Sequence, residues 1–272
     1  MAGAPERRTA EWRRRLQAVD ADRYPAHDLY VGEHWRAVWD AYELTLKFSS
    51  RTELWVISAG YGLISAARRV KSYGATFSSG SFDSVWRGLE EGERRARLRD
   101  WWAGLPHEAT LAELLGRDNV VLLTAGATYV DAVDADLCEA ARADRTRERF
   151  SLVSAGTHGD DTALPVDGRL RGALGGTDNG LNARVLTLLA ATAYEHRFRH
   201  SKMAALLRNL AETSPPTDRR VGRLSSDQQI VRQIDEIRHR DPTISRTRAL
   251  TVLRDAGIAC EQSRFAALWR RA

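Results

Sequence analysis

Three apolar runs in this chain end in the same small-residue step: "LWVISAGYGLI" from Leu54, "VVLLTAGATYV" from Val120 and "FSLVSAGTHGD" from Phe150. Each step sets a hydroxyl (Ser58, Thr124, Ser154) two residues ahead of a glycine (Gly60, Gly126, Gly156). Where a buried strand ends, a small residue lets backbone approach a ligand closely, and glycine tolerates the turn into the next loop. Hydroxyls beside freed backbone N–H groups suit a polar ring or a phosphate. If the three runs are strands of one sheet, their carboxyl ends share an edge, which is where open α/β sheets bind ligands. Small residues also let a helix pack closely after a strand, and that use explains any single copy.

The stretch after the first step, from Tyr61 to Ser84, carries Gly62, two tyrosines (Tyr61, Tyr73) and Phe77, rings that suit stacking on a base. Taken singly, each aromatic reads equally as core. Thr76, Ser78, Ser79 and Ser81 add closely spaced hydroxyls, and Lys71 adds a cation within reach of a phosphate. Asp83, in "SSGSFDSVW", is the first carboxylate candidate, with helix N-terminal acid as its other use. His158 and Asp160 come after the third step, and Asn182 and Arg184 in "GLNARV" open a helix facing the same edge. Asparagine there either meets a base edge or caps the helix. Glu33 and Asp131 stand as reserve carboxylates.

The elements that must position these groups are set by periodicity. "TAEWRRRLQAV" and "AHDLYVGEHWRAVWDAYELTLKF" read as amphipathic helices, and "TELWVIS" as a strand buried on both faces. "SFDSVWRGLEEGERRARLRDWWAGL" reads as a helix broken near Gly88 and "TLAELLG" as a short helix. "NVVLLTAG" is the second buried strand, "ATYVDAVDADLCEAARA" a helix and "RFSLVSAG" the third strand. The alternation predicts a three-layer α/β sandwich with a mostly parallel central sheet. A Gly- and Asp-rich loop comes next, then one or two helices over "NARVLTLLAATAYEHRFRHSKMAALLRNLAET". Prolines in "SPPTDRR" mark a linker over residues 214–223, separating an α/β domain (1–213) from a helical module (224–272).

Charge divides along the same line. Residues 219–272 hold 12 arginines against 6 Asp plus Glu, so the other 218 residues carry 29 basic and 30 acidic groups. A near-neutral body with a basic tail reads as a binding or catalytic domain joined to an anion-contacting module, or as a solvated arginine-rich face. "TISRTRALTVLRDAGIACEQSRFAALWRR" has the shape of a helix-turn-helix unit turning at Gly257. Gln262, Ser263 and Arg264 would open its second helix, where groove-reading side chains sit, with Arg246 and Arg248 on phosphates. A small helical lid is the competing account.

Some classes are excluded. The apolar runs are too short to span a bilayer, and the basic start lacks a secretory apolar core. Cys138 and Cys260 have no metal-type spacing and read as reduced, buried thiols of a cytoplasmic protein. There is no Walker loop, no Gly-x-Gly-x-x-Gly after the first strand and no zinc spacing, so the expected chemistry uses no cofactor or metal.

"ISAGYGLISAARRVKSYGATF" resembles the signature of the YaaA-like family, in which a strand ends in Ser-(Ala or Gly)-x-Tyr-Gly-Leu; "AHDLYVGEHW" is similar to the Leu-Tyr-x-Gly element of related proteins. The resemblance covers residues 24–85, and the later strand ends loosely. A basic helix replaces the strand that opens some relatives, and Ser72-Tyr73 replaces a Pro-Tyr dipeptide. The resemblance implies a uracil-DNA-glycosylase-like fold acting on a base flipped from double-stranded DNA. It extends by analogy to excision of a modified base, such as glucosylated hydroxymethylcytosine, in anti-phage defence. Breaking an N-glycosidic bond leaves positive charge on the sugar and negative charge on the base, so it needs a carboxylate and donors. Asp83 and Asp160 would supply the first, and His158 a donor. The alternatives are a DNA-binding protein without chemistry and an enzyme acting on RNA or free nucleotides.

Overall fold

The computed structural model describes residues 5–78, 81–86, 91–116, 118–155, 161–176, 180–214 and 223–271. The chain divides into two compact units, Met1–Pro216 and Thr217–Ala272. It is a mixed α/β protein, and among the described residues the strands form four two-stranded pairings, two of them parallel. No helix among the described residues is long and apolar enough to cross a membrane.

The first unit opens with α1 (Pro5–Ala18), β1 (Arg23–Pro25), α2 (Ala26–Leu29) and α3 (Glu33–Phe48). The long helix expected over 26–48 is broken at Gly32, whose φ of +103° no side chain favours. Next come β2 (Trp55–Ser58), β3 (Gly62–Ser65) and β4 (Arg69–Lys71). The expected parallel role of "TELWVIS" is overturned here. The chain reverses after Ser58, and β2 pairs antiparallel with β3, from Trp55–Ser65 to Ser58–Gly62, through a turn that Gly62 closes at φ +84°. β4 pairs antiparallel with β1.

The helix expected from residue 81 starts late. Residues 81–86 are not helical, because Thr76 accepts from and donates to backbone around Ser84 and holds this stretch beside it. The helix is α4 (Arg94–Ala103), after one 3-10 turn at Glu91–Glu93; Gly88 lies outside the described residues. α5 (Leu111–Leu115) begins at a capping box made by Thr110 and Glu113. β5 (Val121–Thr124), α6 (Ala127–Ala143) and β6 (Phe150–Val153) form a parallel strand–helix–strand unit, with Val121 opposite Phe150 and Thr124 opposite Val153. α7 (Leu170–Leu174) sits inside the expected loop. The apolar stretch beyond it makes three helices, α8 (Leu181–Ala191), α9 (Ala193–His196) and α10 (His200–Thr213); Thr192 leaves helical geometry between the first two, and Arg197 and Phe198 adopt positive φ between the last two.

The two larger of three apolar clusters fill this unit's centre. One joins Ala59, Phe77, Trp101, Trp102, Ala125 and Leu152; the other joins Val153, Leu181, Leu189, Met203 and Leu207. α3 lies along α8 and α4 along α6. The second unit has β7 (Arg223–Leu224), α11 (Asp227–Arg240), α12 (Arg246–Asp255), β8 (Ile258–Ala259) and α13 (Gln262–Trp269) around a core of its own, with Ile230, Ile234, Leu253 and Phe265 at its heart. Of the two cysteines, Cys260 is buried, but Cys138 is exposed on α6, contrary to the expectation that both are buried.

Candidate functional site

The first Ser-Ala-Gly step is a polar turn roofed by aromatic rings. Ser58 Oγ accepts the N–H groups of Gly60 (3.3 Å) and Tyr61 (3.1 Å), and lies 2.7 Å from the Tyr73 hydroxyl, which lies 2.9 Å from that of Tyr30. A serine oxygen has two lone pairs, and both are taken by backbone. Its hydrogen therefore goes to Tyr73 and that of Tyr73 to Tyr30, whose own hydroxyl ends the series and also interacts with Ser58. Each donor in such a series polarises the next. Burial, and after it the neighbouring Tyr30 phenol, hold Tyr73 far above the ordinary tyrosine range; burial also raises Tyr30 and Tyr61. The phenols are therefore neutral donors at any physiological pH.

The turn admits no larger residue. The Trp101 indole donates to Ala59 O and the Trp12 indole to Gly60 O, both at 2.8 Å. A methyl on Gly60 would stand 2.5 Å from the Tyr73 ring. One on Gly62 would stand 2.9 Å from His107, whose Nδ1 accepts the Leu63 N–H while Nε2 donates to Trp102 O. The Tyr61 ring meets Tyr73 edge-on at 5.2 Å, and its hydroxyl both donates to and accepts from the backbone of Lys71 at 3.1 Å. Tyr61 and Tyr73 thus pack on one another and on the turn, instead of lying open as a stacking platform.

The second and third steps are held by one side chain. Asn182, buried in the first turn of α8, donates through Nδ2 to Ala125 O (3.0 Å) and accepts the Ala155 N–H through Oδ1 (2.8 Å). It therefore ties together the exits of β5 and β6. Ser154 is buried beside it, while the Thr124 Oγ1 is buried without a hydrogen-bond partner among the described residues. Arg184, one half-turn on, pairs with Glu33 of α3 at 2.7 Å. Its guanidinium rests where methyls on Gly176 and Gly180 would stand, 2.4 and 2.6 Å away. Three helices thus begin close together: α8 touches α3 through Arg184 and Glu33, and the strand end before α6 through Asn182. All three have glycine N-caps (Gly32, Gly126, Gly180) and no side-chain cap. Their first N–H groups are the kind that anions accept.

The other singled-out residues occupy varied settings. Thr76 Oγ1 lies 3.3 Å from the Tyr129 hydroxyl in the first turn of α6, linking the first neighbourhood to the second. Phe77, expected to stack on a ligand, is wholly buried against Trp102 and Tyr129. Lys71, expected at a phosphate, donates instead to Leu16, Gln17 and Val19 carbonyls at the end of α1, where cations complement the helix dipole. Asp83 is exposed, with its carboxylate beside Gly74. Asp131 pairs with Arg94 and Arg95 on α4. Ser79, Gly156, His158 and Asp160 lie outside the described residues. Tyr30, Trp12, Trp101 and Tyr129 complete the site, and of these only Tyr30 carries a local sequence signal, in the Leu-Tyr-x-Gly element.

In the second unit Arg246, Arg248, Gln262 and Ser263 are exposed. Arg264, expected to meet DNA, turns the other way: it donates to Asp227 (2.6 and 2.8 Å) and to Ser225 O (2.9 Å), pinning α13 to the start of α11. Among the described residues no group of three or more His, Cys, Asp or Glu is placed to hold a metal. No family model, no curated protein and no solved structure matches the chain.

Proposed function

We propose that the protein acts on DNA as an N-glycosylase: the first unit, a uracil-DNA-glycosylase-like three-layer sandwich related to the YaaA-like family, takes up a modified base turned out of the duplex, and the basic second unit holds the duplex. The observation that carries this reading is the meeting of three glycine-capped helix starts at two small-residue strand ends. Together they offer uncapped N–H groups and the positive ends of three helix dipoles to a phosphate. The Tyr30 hydrogen, at the end of the Ser58–Tyr73–Tyr30 chain, supplies a donor for a carbonyl on the base.

In the reaction, water adds across the bond between C1′ of the sugar and the base nitrogen. The hydroxyl goes to C1′ and the hydrogen to the base, leaving an abasic site and a free base. Asp83 and Asp160 are the carboxylates available to orient the water, and His158 is a donor to the departing base. The setting is the cytoplasm, with viral DNA carrying glucosylated hydroxymethylcytosine as the substrate.

The test is incubation of the purified protein with plain, uracil-containing and glucosylated-hydroxymethylcytosine DNA, then alkali cleavage and a free-base assay. Release of base from one of the three supports the enzyme and names its target. A second reading, a DNA-binding protein with no chemistry, is favoured by one feature: no carboxylate contacts the Ser58–Tyr73–Tyr30 chain among the described residues. Intact DNA in all three incubations, with a gel shift, would select it.

A further inference from the structure

The charge of the second unit is not spread evenly over its three helices. Over α11 and the residue after it, residues 227–241, three arginines meet four acids; over residues 246–271, six arginines meet only Asp255 and Glu261. Several of these arginines are already engaged. Arg238 lies over the Trp269 ring at 3.9 Å and donates to Trp269 O, and Arg264 is neutralised by Asp227. Those on α12 differ. Arg246 is exposed and has no ion pair or hydrogen bond among the described residues, and Arg254 donates only to the Cys260 carbonyl, which leaves its charge unbalanced.

Arg246 and Arg254 stand eight residues apart, on one side of α12, about 12 Å along its axis. Between them a groove runs against α13, lined also by Thr247, Thr251 and Gln262 over a floor of Leu250 and Phe265. A concave strip with a cation at each end and hydroxyls and an amide between matches a phosphodiester backbone, whose oxygens accept from all of these groups. The floor is apolar and offers no acceptor for a competing cation.

The same unit discriminates between nucleic acids. Single strands are held by aromatic platforms on which bases stack. Here Phe265 is fully buried, and the Trp269 ring packs against Phe265 and is covered by the Arg238 guanidinium. The groove residues Arg246, Thr247, Thr251, Arg254 and Gln262 lie on helices, and B-form DNA has a major groove wide enough for a helix, whereas A-form RNA does not.

Resting on the reading of this unit as the DNA-holding part of the protein, we propose that the α12–α13 groove seats the backbone of duplex DNA between Arg246 and Arg254, and that Arg264 is a structural staple of the module with no part in DNA contact. The test uses the full chain and a short blunt DNA duplex, with affinity measured over a range of salt. Each lost phosphate contact lowers the slope of log K against log salt by about 0.9. Arg246→Gln is expected to lower it by about one and the Arg246→Gln/Arg254→Gln pair by about two, with binding roughly tenfold weaker or more at moderate salt. Arg254→Lys keeps the cation and is expected to restore most of the slope.

Arg264→Gln is expected to lower the melting temperature of the second unit while leaving the slope unchanged. Arg246 has no partner to lose among the described residues, so its substitution reads DNA contact without a folding defect. An unchanged slope in the Arg246 variant and the pair, or a lowered one in Arg264→Gln, overturns the groove while leaving the DNA-acting reading intact. Tighter binding to an RNA duplex of the same sequence overturns the choice of occupant. No binding of the wild-type chain to any duplex overturns both.

Discussion

Two of the three small-residue steps, at Thr124 and Ser154, end neighbouring parallel strands, and the one at Thr124 leads straight into α6; the one at Ser58 doubles back into a hairpin. The same three-residue pattern therefore serves opposite ends. At Ser58 the glycine is needed for space, because an aromatic ring lies on it, and the hydroxyl is needed to organise the turn. At Thr124 the glycine has open space around it, and the structure is held from outside by Asn182. A motif repeated in sequence is thus a repeated solution to ending a strand, and the element after each strand decides what the motif does.

Exchanging the glycines tests this contrast most severely. Gly60→Ala drives a methyl into the Tyr73 ring and is expected to cost about 3 kcal/mol or more, seen as a large fall in the melting temperature of the first unit. Gly126→Ala, with nothing within 4 Å, is expected to stay within about 1 kcal/mol. Equal effects would mean that the two turns are built alike.

Next in size is Asn182→Ala, which leaves the Ala125 carbonyl and the Ala155 N–H without their partner. A loss of about 2–3 kcal/mol by denaturant unfolding is expected. Asn182→Asp separates the two bonds, since a carboxylate keeps the acceptor toward Ala155 and loses the donor toward Ala125. Removing the middle hydroxyl of the first step, Tyr73→Phe, interrupts the chain and is expected to cost about 1 kcal/mol. If the Tyr30 donor matters to a ligand, this variant also weakens ligand binding, while Trp12 and Trp101 keep the turn in place.

The smallest effect is set by pH. Asp144 accepts from Thr146 and from the Arg149 and Phe150 N–H groups at the start of β6, the opposite end of the strand from the Asn182 clamp. Burial pushes its carboxyl up, but these hydrogen bonds outweigh burial and hold it below its ordinary 3.8. A depressed carboxyl contributes stability that is present above the unfolded value and lost as pH falls through the folded one. Asp144→Asn is therefore expected to flatten the decline in first-unit stability below about pH 4. An unaltered acid limb would move that role elsewhere.

How much of this was legible depends on whether the cause lay close in sequence. β5, α6 and β6 announce themselves by an apolar run, a glycine exit and a regular stripe, and α11 by its Ser226–Gln229 capping box. β3 has two adjacent buried apolar residues in place of an alternation and β4 has only three residues, and the pairing of β3 with β2 depends on Gly62 adopting positive φ. The break at Gly32 looks like any glycine in a helical pattern until its φ is known. At the site, Ser58 and Tyr73 stand out because they flank one motif. Trp12, Trp101 and Tyr129 come from other elements and carry no local sign of where they point. Lys71 misled for the same reason: the carbonyls that claim it belong to a helix more than fifty residues earlier.

That last contact bears on how the chain is made. α1 is fastened by Lys71 at its end, by Trp12 at the Gly60 carbonyl, by Arg8 at the Val85 carbonyl and by the stacking of Trp12 near Trp101. Every one of these partners is synthesised after it. On the ribosome α1 therefore emerges with its indole and its last carbonyls unclaimed, and it waits until α4 appears. A helix translated first thus finds its partners only several elements later, and its Trp12 indole then closes the aromatic roof over the first turn.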